Sequence, residues 1–284
     1  MNGLSNGLPI EAQSQIDWSA PWLYHLKPLQ NLAHSSDLIL TLNNTLAGRH
    51  QKTGQGQPLH FIPQDDLPAG VAYEAHIAAT GGVPTRLNLH DFFNACIWLT
   101  FPLSKAVLNA RQAIHIAAHG VQHTRGVARD ALTLFDENAA ILVTSAPEIG
   151  DALRAFDWHN ALIAPRTDWD EPCLNRPDAK AALYTFGHAL MDKLTTPRKA
   201  MCAHTWVMVV DADWFAQPLT ERLNSLDVQL ANELQNWSEN PRDFCPLPML
   251  GVPHFCADNE DETFYNDTRV FRAGRTRLMP LAST

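Results

Sequence analysis

The sequence predicts a mostly helical α+β fold, with a small mixed or antiparallel sheet in a single compact domain. Three observations lead to this prediction. Several segments carry apolar residues at helical spacing, a few short apolar runs have the length of strands, and no internal repeat or linker divides the chain. With 284 residues, of which 45% are hydrophobic, the chain can bury a sizeable core.

The two ends of the chain differ in composition from the middle. Residues 1–16 are polar and rich in Gly, Ser, Asn and Gln, so we expect a loose N-terminus. Residues 17–272 are expected to form the domain. Residues 273–284 include Arg275 and Arg277 and are expected to form a basic tail.

The first part of the domain is predicted to be mainly helical. Apolar spacing predicts helices at about residues 20–33, 36–47 and 71–80, and a short strand at about residues 59–63. Residues 48–58 are rich in Gly and Gln, which is typical of a loop.

The clearest helix is predicted at residues 89–101. Asn88 precedes it and Asp91 follows three residues later, a spacing typical of a capping box. The segment is apolar on nearly all sides, so we expect it in the core. A second helix is predicted at about residues 103–118, after Pro102. The apolar stripe of this helix consists of Leu103, Ala106, Val107, Ala110, Ala113, Ile114 and Ala117.

Four short segments are predicted to form the sheet. Residues 132–135 and 140–144 are expected to pair as strands around a tight turn at residues 136–138. Residues 183–186 and 206–210 are the other two predicted strands, and no strand order is assigned. Helices are predicted at about residues 147–156, 188–194 and 214–234, and the sequence from residue 236 shows little periodicity.

Charge and cysteine content argue against several classes of protein. A net charge of −9 and a pI near 5.8 argue against a nucleic acid or an anionic membrane surface as partner. No apolar run approaches the roughly 18 residues that span a bilayer, and no secretory signal is visible. The five cysteines are irregularly spaced, which together with the missing signal predicts reduced thiols in a cytoplasmic protein. The oligomeric state is not predicted.

Several known catalytic motifs are absent from the sequence. It has no Gly-x4-Gly-Lys phosphate loop, no Gly-x-Gly-x-x-Gly fingerprint and no Gly-x-Ser-x-Gly elbow. Nucleotide-driven, nicotinamide-dependent and serine-hydrolase chemistry therefore has no support.

The chain contains several long and specific motifs. They are Arg86-Leu-Asn-Leu-His-Asp-Phe-Phe-Asn94 with Trp98, Phe101-Pro102, Lys105 and Asn109, then Arg129-Asp-Ala-Leu-Thr-Leu-Phe-Asp-Glu-Asn138, Phe186-Gly-His-Ala-Leu190, Leu247-Pro-Met-Leu-Gly-Val-Pro253 and Phe264-Tyr-Asn-Asp-Thr-Arg-Val-Phe-Arg272. These motifs resemble those of the bacterial family called domain of unknown function 3025, and the resemblance covers about residues 17–272. The resemblance implies no established activity. The chain departs from the family pattern at Ala139, where Gly is usual, and at His254-Phe255, where Gly-Trp is usual.

The first candidate site lies at the start of the predicted core helix. His90 and Asn94 are four residues apart and share a helix face, with Asp91 adjacent to both. These side chains could bind a divalent metal or an anionic ligand at the helix N-terminus. Alternatively, Asp91 caps the helix while His90 and Asn94 hydrogen-bond a neighbouring loop.

Further candidates lie in two of the other motifs. Asp130, Asp136 and Glu137 could supply oxygen ligands or a general base, with Arg129 as an anion contact. Alternatively, residues 136–138 are ordinary turn formers and Arg129 pairs with an acid. His188 follows a predicted strand, either in a crevice or packed on its own helix. His115, His119 and His123 have metal-ligand spacing, but a solvent-exposed face is the preferred interpretation.

Two hypotheses of function follow from these candidates. In the first, the protein is a cytoplasmic hydrolase of a small or phosphorylated substrate, with His90, Asp91, Asp130 and His188 as catalytic residues. Asn94, Arg129 and Arg86 would contact the substrate, and one divalent metal could assist. In the second, the protein is a non-catalytic binding scaffold, and the same residues form a structural polar network.

Overall fold

The computed structural model describes residues 6–120, 126–172, 174 and 176–274. Its α-helices are α1 (Ile10–Ser14), α2 (Leu38–Leu46), α3 (Tyr73–Thr80), α4 (Leu89–Thr100), α5 (Pro102–His119), α6 (Val127–Asn138), α7 (Pro147–Arg154), α8 (His188–Lys193) and α9 (Leu219–Gln235). Its strands are β1 (His60–Pro63), β2 (Gly82–Thr85), β3 (Ala139–Thr144), β4 (Ala181–Thr185), β5 (Cys202–Val209) and β6 (Cys245–Pro248). A long 3₁₀ segment spans Pro21–His34. The predictions for His123, for Cys173 and for the tail from residue 275 lie outside the described residues.

The strands form two separate sheets. Strands β1 and β2 are parallel, and Pro63 and Thr85 are their last paired residues. The larger sheet has the order β4-β3-β5-β6, in which β3 and β5 are parallel and the two outer pairs are antiparallel. The predicted α+β class with a small mixed sheet is therefore confirmed.

Strand β3 lies at the centre of the core. All its side chains are buried, which explains why its sequence is continuously apolar rather than alternating. The 3₁₀ segment at the N-terminus covers the neighbouring strand β4. There His25 Nε2 donates to Thr185 O at 2.9 Å, and Thr185 Oγ1 donates to Trp22 O at 2.6 Å. These bonds satisfy polar groups that burial would otherwise leave unpaired.

Helix α4 is buried on almost every side, as its sequence predicts. The side chains of Phe92, Phe93 and Trp98 are at most 1% exposed. Asn88 caps the helix, because its side chain accepts a hydrogen bond from Asp91 N at 2.8 Å. Immediately after it, Pro102 opens α5.

The predicted hairpin at residues 132–144 is wrong in its first half. Residues Val127–Asn138 form one continuous helix, α6, which leads directly into β3. The buried positions Ala131, Leu132, Phe135 and Asp136 recur at helical spacing. The segment also has no valine or isoleucine between residues 128 and 138, which favours helix over strand.

Three other elements differ from the prediction. In the segment expected to be loose, residues Ile10–Ser14 form a short helix, and the buried Leu8 and Ile16 flank it on the chain. Strands β2 and β6 were not predicted, because Gly and Pro within them obscure a strand pattern. Proline is tolerated at the edge of a sheet, where β6 lies. None of the helices described is both long and apolar enough to cross a membrane.

Candidate functional site

A cavity of about 460 Å³ opens beyond the carboxyl ends of β1 and β2. Gln64 and Arg86 directly follow the last paired residues of these strands and line the cavity. The remaining lining residues are Leu67, Ala72, Tyr73, Glu74, His90, Asp91, Asn94, Gln112, Ile116, Arg129, Thr133, Asp136, Glu137 and His188. The cavity therefore gathers side chains from α3, α4, α5, α6 and α8.

A pair of histidines forms one wall. His90 Nε2 lies 3.2 Å from His188 Nε2, and the rings are almost perpendicular, with centroids 4.4 Å apart. A hydrogen bond between two imidazole nitrogens needs one N–H and one lone pair, so one ring donates and the other accepts. Burial lowers the pKa of His188 to about 3; the Asp136 carboxylate opposes this shift and the Lys105 cation adds to it. His188 is therefore neutral at neutral pH and can serve as either donor or acceptor.

Gly187 allows His188 to reach this position. The amides of Phe186 and Gly187 both donate to Ala139 O, at 3.0 and 2.8 Å. A Cβ atom on Gly187 would lie 2.4 Å from Glu137 O. Only glycine therefore lets the start of α8 lie directly against the end of α6.

A buried lysine organises the floor of the site. Lys105 is 3% exposed, and its Nζ donates to Asn94 Oδ1 at 2.9 Å and to Asp136 Oδ1 at 2.5 Å. Asn94 Nδ2 in turn donates to Tyr73 Oη at 3.0 Å. Burial alone would raise the pKa of Asp136, but the Lys105 cation and its hydrogen bond, together with the neighbouring His188 and His90, hold this pKa below its ordinary value. The lysine and aspartate thus form a buried ion pair joining α5 to α6.

The pKa of Glu74 is shifted in the opposite direction from that of Asp136. Burial raises its pKa above the ordinary value, the Asp136 carboxylate raises it further, and Lys105 opposes both. Asn109 Nδ2 donates to Glu74 Oε2 at 2.7 Å, which fixes the carboxyl group beside the cavity. Two carboxyl groups with opposite shifts therefore lie at one site, an arrangement suited to proton transfer.

Asp91 and Arg86 close the loop before α4. Asp91 Oδ2 accepts a hydrogen bond from Arg86 N at 2.7 Å and lies 3.3 Å from Arg86 Nε. The Asp91 carboxylate therefore fixes the backbone at the helix N-terminus, which agrees with the capping alternative. The side chain of Arg86 remains 60% exposed at the rim.

Arg129 is a cation that the protein leaves incompletely paired. It lies in the first turn of α6 and lines the cavity. Its Nε is buried and has no hydrogen-bond partner, and no ion pair links it to a carboxylate in the part of the chain that the structure describes. A buried guanidinium N–H without a partner is costly, so this position suits an anion supplied from outside.

The structure brings most of the sequence-predicted site residues together. His90, Asp91, Asn94, Arg86, Arg129 and His188 all line the cavity. Asp130 does not, because it is exposed on another face of α6. Asp136 and Glu137, which the sequence also allowed as simple turn formers, lie in the last turn of α6 and line the cavity.

Sequence reasoning missed Tyr73, Glu74 and Lys105 as site residues. The stripe predicted to bury α5 was wrong in part, because Leu103 is 48% and Ile114 63% exposed. The buried face of α5 includes polar positions instead, namely Ser104, Lys105, Asn109 and Gln112. The spacing of Lys105, Asn109 and Gln112 at i, i+4 and i+7 was the available signal for a polar site on this helix.

The predicted metal ligands do not form a ligand set. Asp91 accepts a hydrogen bond from Arg86 N, and Asp130 lies outside the cavity. Neither carboxylate is therefore placed to bind a metal ion together with His90 and His188. His115 Nε2 instead lies 2.6 Å from Glu239 Oε2. Across the described ranges, no three His, Cys, Asp or Glu side chains are grouped so that they could hold a metal ion.

Comparison with known proteins gives a family but no activity. No curated protein and no solved structure matches the chain. A family model described as "Protein of unknown function (DUF3025)" matches residues 59–275, which is well over half of the chain and includes every residue that lines the cavity. The chain therefore belongs to the DUF3025 family.

Proposed function

We propose that the protein is a hydrolase of a small anionic substrate, and that His90 and His188 supply general acid–base catalysis. The observation that carries this proposal is the contact of 3.2 Å between the two Nε2 atoms, in a cavity that also contains Arg129. A histidine at the cavity surface, held by a hydrogen bond to a buried neutral histidine, is placed to transfer a proton to or from a bound substrate.

The two rings are coupled through their shared hydrogen bond. When His90 Nε2 donates to His188, His90 Nδ1 carries a lone pair and can accept a proton from water. Once protonated, His90 can donate this Nδ1 proton to a leaving group and return to its neutral form, while its Nε2–H still donates to His188. His90 is thus the proposed catalytic residue, and His188 is the residue that positions it.

The neighbouring side chains have complementary roles in the proposal. Arg129 binds the anionic group of the substrate, and Arg86 adds a second cation at the rim. Glu74, with its raised pKa, is a second proton carrier. Asp91, Lys105 and Asp136 hold the site together. Neither the assigned groups nor their roles require a metal.

The wider setting of the proposal comes from bulk properties. A net charge of −9 supports a small-molecule substrate rather than a nucleic acid. The thiol content supports a cytoplasmic location. The competing function is that of a non-catalytic binding protein, favoured by the hydrogen-bonded chain from Tyr73 through Asn94 and Lys105 to Asp136.

The test is hydrolysis of p-nitrophenyl phosphate and small p-nitrophenyl esters by the purified chain. We expect turnover that falls about 100-fold or more in His90→Gln, because a general acid–base group contributes roughly that much. Arg129→Gln should raise KM more than it lowers kcat. The matched control is His159→Gln, since His159 is exposed and lies outside the cavity.

Two outcomes would contradict the proposal. Full activity in His90→Gln would remove His90 from the reaction. Absence of turnover, together with Arg129-dependent binding of inorganic phosphate in calorimetry, would favour the binding protein. Metal content measured by plasma mass spectrometry on protein purified without chelator accompanies the assay, so that any turnover can be compared with bound metal.

A further inference from the structure

A second cavity adjoins the first. It has a volume of about 700 Å³ and shares Gln64 and Arg86 with the candidate site. Both volumes fall in the range of roughly 300–1,000 Å³ that is typical of small-molecule sites. We refer to them as the polar cavity and the apolar cavity.

The two cavities adjoin because of the way β1 and β2 end. Pro63 and Thr85 are opposite each other in the last register position of the parallel pair. Gln64 and Arg86 follow them at the edge of this sheet, and the two chain segments then diverge. These two side chains therefore form the boundary between the cavities.

The walls of the apolar cavity differ in character from those of the polar cavity. Ile39 and Leu40 of α2 line it, together with Pro63 and Leu87. Leu40 is 57% exposed, so an apolar group bound there would remove it from water. The aliphatic stem of Arg86 offers an apolar surface that continues toward the polar cavity.

Charge orients a ligand that spans both cavities. The apolar cavity contains the carboxylates Asp37 and Asp65, and Arg86 is the only cation among its lining residues that the structure describes. The polar cavity also contains carboxyl groups, but Asp136 is paired with Lys105 and Asp91 with Arg86. Arg129 has a buried Nε from which no described residue accepts a hydrogen bond. An anionic group is therefore favoured beside Arg129 rather than in the apolar cavity.

The boundary carries a further polar atom without a partner. Gln64 Oε1 is buried and accepts no hydrogen bond from the described residues. It lies where the polar and apolar portions of a ligand would join. A hydroxyl or amide N–H at that point of the ligand would satisfy it.

We propose that the substrate is an amphipathic anion, with its charged group at Arg129 and an apolar chain or ring that passes Arg86 and Gln64 to Leu40. This inference rests on the proposed function for the identity of the polar cavity. It adds the class of substrate, namely an acid or phosphate ester that carries an apolar portion.

The experiment is calorimetric binding of a series of straight-chain carboxylates, from acetate through butanoate and hexanoate to octanoate, to the full chain. We expect affinity to rise by up to about fourfold for each methylene that enters the apolar cavity. Leu40→Asp should remove this dependence on chain length, because an apolar chain no longer gains by covering that position. The matched control is Val228→Asp, since Val228 is similarly exposed, on α9, and lines neither cavity.

The outcomes separate this inference from the function on which it rests. Octanoate that binds no more tightly than acetate, with both dependent on Arg129, would overturn the amphipathic substrate and leave the anion site intact. Equal dependence on chain length in wild type and Leu40→Asp would also overturn it. Carboxylate binding that is unaffected by Arg129→Gln would instead overturn the anion site, and both proposals with it.

Discussion

Two buried histidines make the stability of the protein sensitive to mild acid. Burial lowers the pKa of His25 to about 4 and that of His188 to about 3, both below the ordinary value of 6.5. Above pH 6.5 both rings are neutral in the folded and unfolded chains. As the pH falls from 6.5 toward these folded-state values, protons bind the unfolded chain preferentially, so stability is lost over that window.

Replacement of His25 by Gln should remove one of these contributions. We expect the free energy of unfolding of the wild type to fall by about 2 kcal/mol per buried histidine between about pH 7.5 and about pH 5. His25→Gln should show a drop smaller by about 2 kcal/mol, because glutamine does not titrate. Urea denaturation at the two pH values measures this difference.

The exposed His159 provides the control for this prediction. His159→Gln should retain the full drop, because it leaves both buried rings, His25 and His188, in place. If the free energy of unfolding of His25→Gln falls between the two pH values as much as that of the wild type, His25 does not contribute to the acid sensitivity. Loss of the bond to Thr185 O lowers stability at both pH values and cancels in the comparison.

The two departures from the family pattern have different backbone consequences. Ala139 adopts an extended conformation with φ of −78°, so the usual glycine is not required there. His254 has φ of +67°, a left-handed conformation that glycine adopts without strain. The sequence identified both positions but could not distinguish them, because backbone dihedrals are set by the packing of the whole segment.

At the scale of elements, the junction between α6 and α8 decides the geometry of the site. Glu137 and Asn138 end α6, and Gly187 lies against their backbone atoms. His188 begins α8 immediately afterwards, so a shift of this junction would move it relative to His90. The site therefore depends on the close approach of two helix ends.

Replacement of Gly187 by Ala should disturb both stability and the site. The added Cβ would lie 2.4 Å from Glu137 O, and backbone atoms cannot move away as a flexible side chain can. We expect a loss of about 1–3 kcal/mol in the free energy of unfolding, together with weaker activity. The matched control is Gly126→Ala, where no atom of the described residues lies within 4 Å of the added Cβ and φ is −70°.

Thermal unfolding and turnover of the two variants measure this effect. The Gly126 variant should stay within about 0.5 kcal/mol of the wild type, as is usual for surface positions. Equal stability of the two variants would show that the helix ends can separate without cost. Reduced stability with unchanged turnover would show that His188 does not need this junction.

The sequence predicted the type of an element correctly where the buried residues of that element are the apolar ones. Helix α4 was predicted because its sequence is apolar on nearly every side. Helix α5 was also predicted, but its buried face was wrong in part because it includes polar residues, and the first half of the expected hairpin is the helix α6. The ion pair between Lys105 and Asp136 could not be predicted from the sequence, because the two residues lie on different helices.

At the scale of the whole molecule, the larger sheet is assembled from distant parts of the chain. Strand β3 pairs with β4 and β5, which follow it after long intervening segments. Hydrophobic patterning identified all three strands but contains no information on their partners, so strand order could not be derived. The cavity has the same origin, because it is lined by α3, α4, α5, α6 and α8 and by the segments that follow β1 and β2.

The 3₁₀ segment at Pro21–His34 lies before the family match begins at residue 59, yet it completes the core. Its Leu23 and Leu26 are at most 2% exposed, and His25 and Trp22 bond Thr185 of β4. The boundary of the family match is therefore not a folding boundary.

A fragment of residues 59–275 should accordingly fail to fold alone. It would expose the apolar surface of β4 and leave the carbonyl oxygen and the hydroxyl of Thr185 without their hydrogen-bond partners, His25 and Trp22. We expect no cooperative thermal transition from this fragment, and recovery of one when residues 6–58 are co-expressed as a separate chain. A fragment that melts cooperatively by itself at the temperature of the full chain would contradict this. If the fragment fails to fold, as expected, residues 6–58 act as an intramolecular partner that the rest of the chain must bind in order to have a native state.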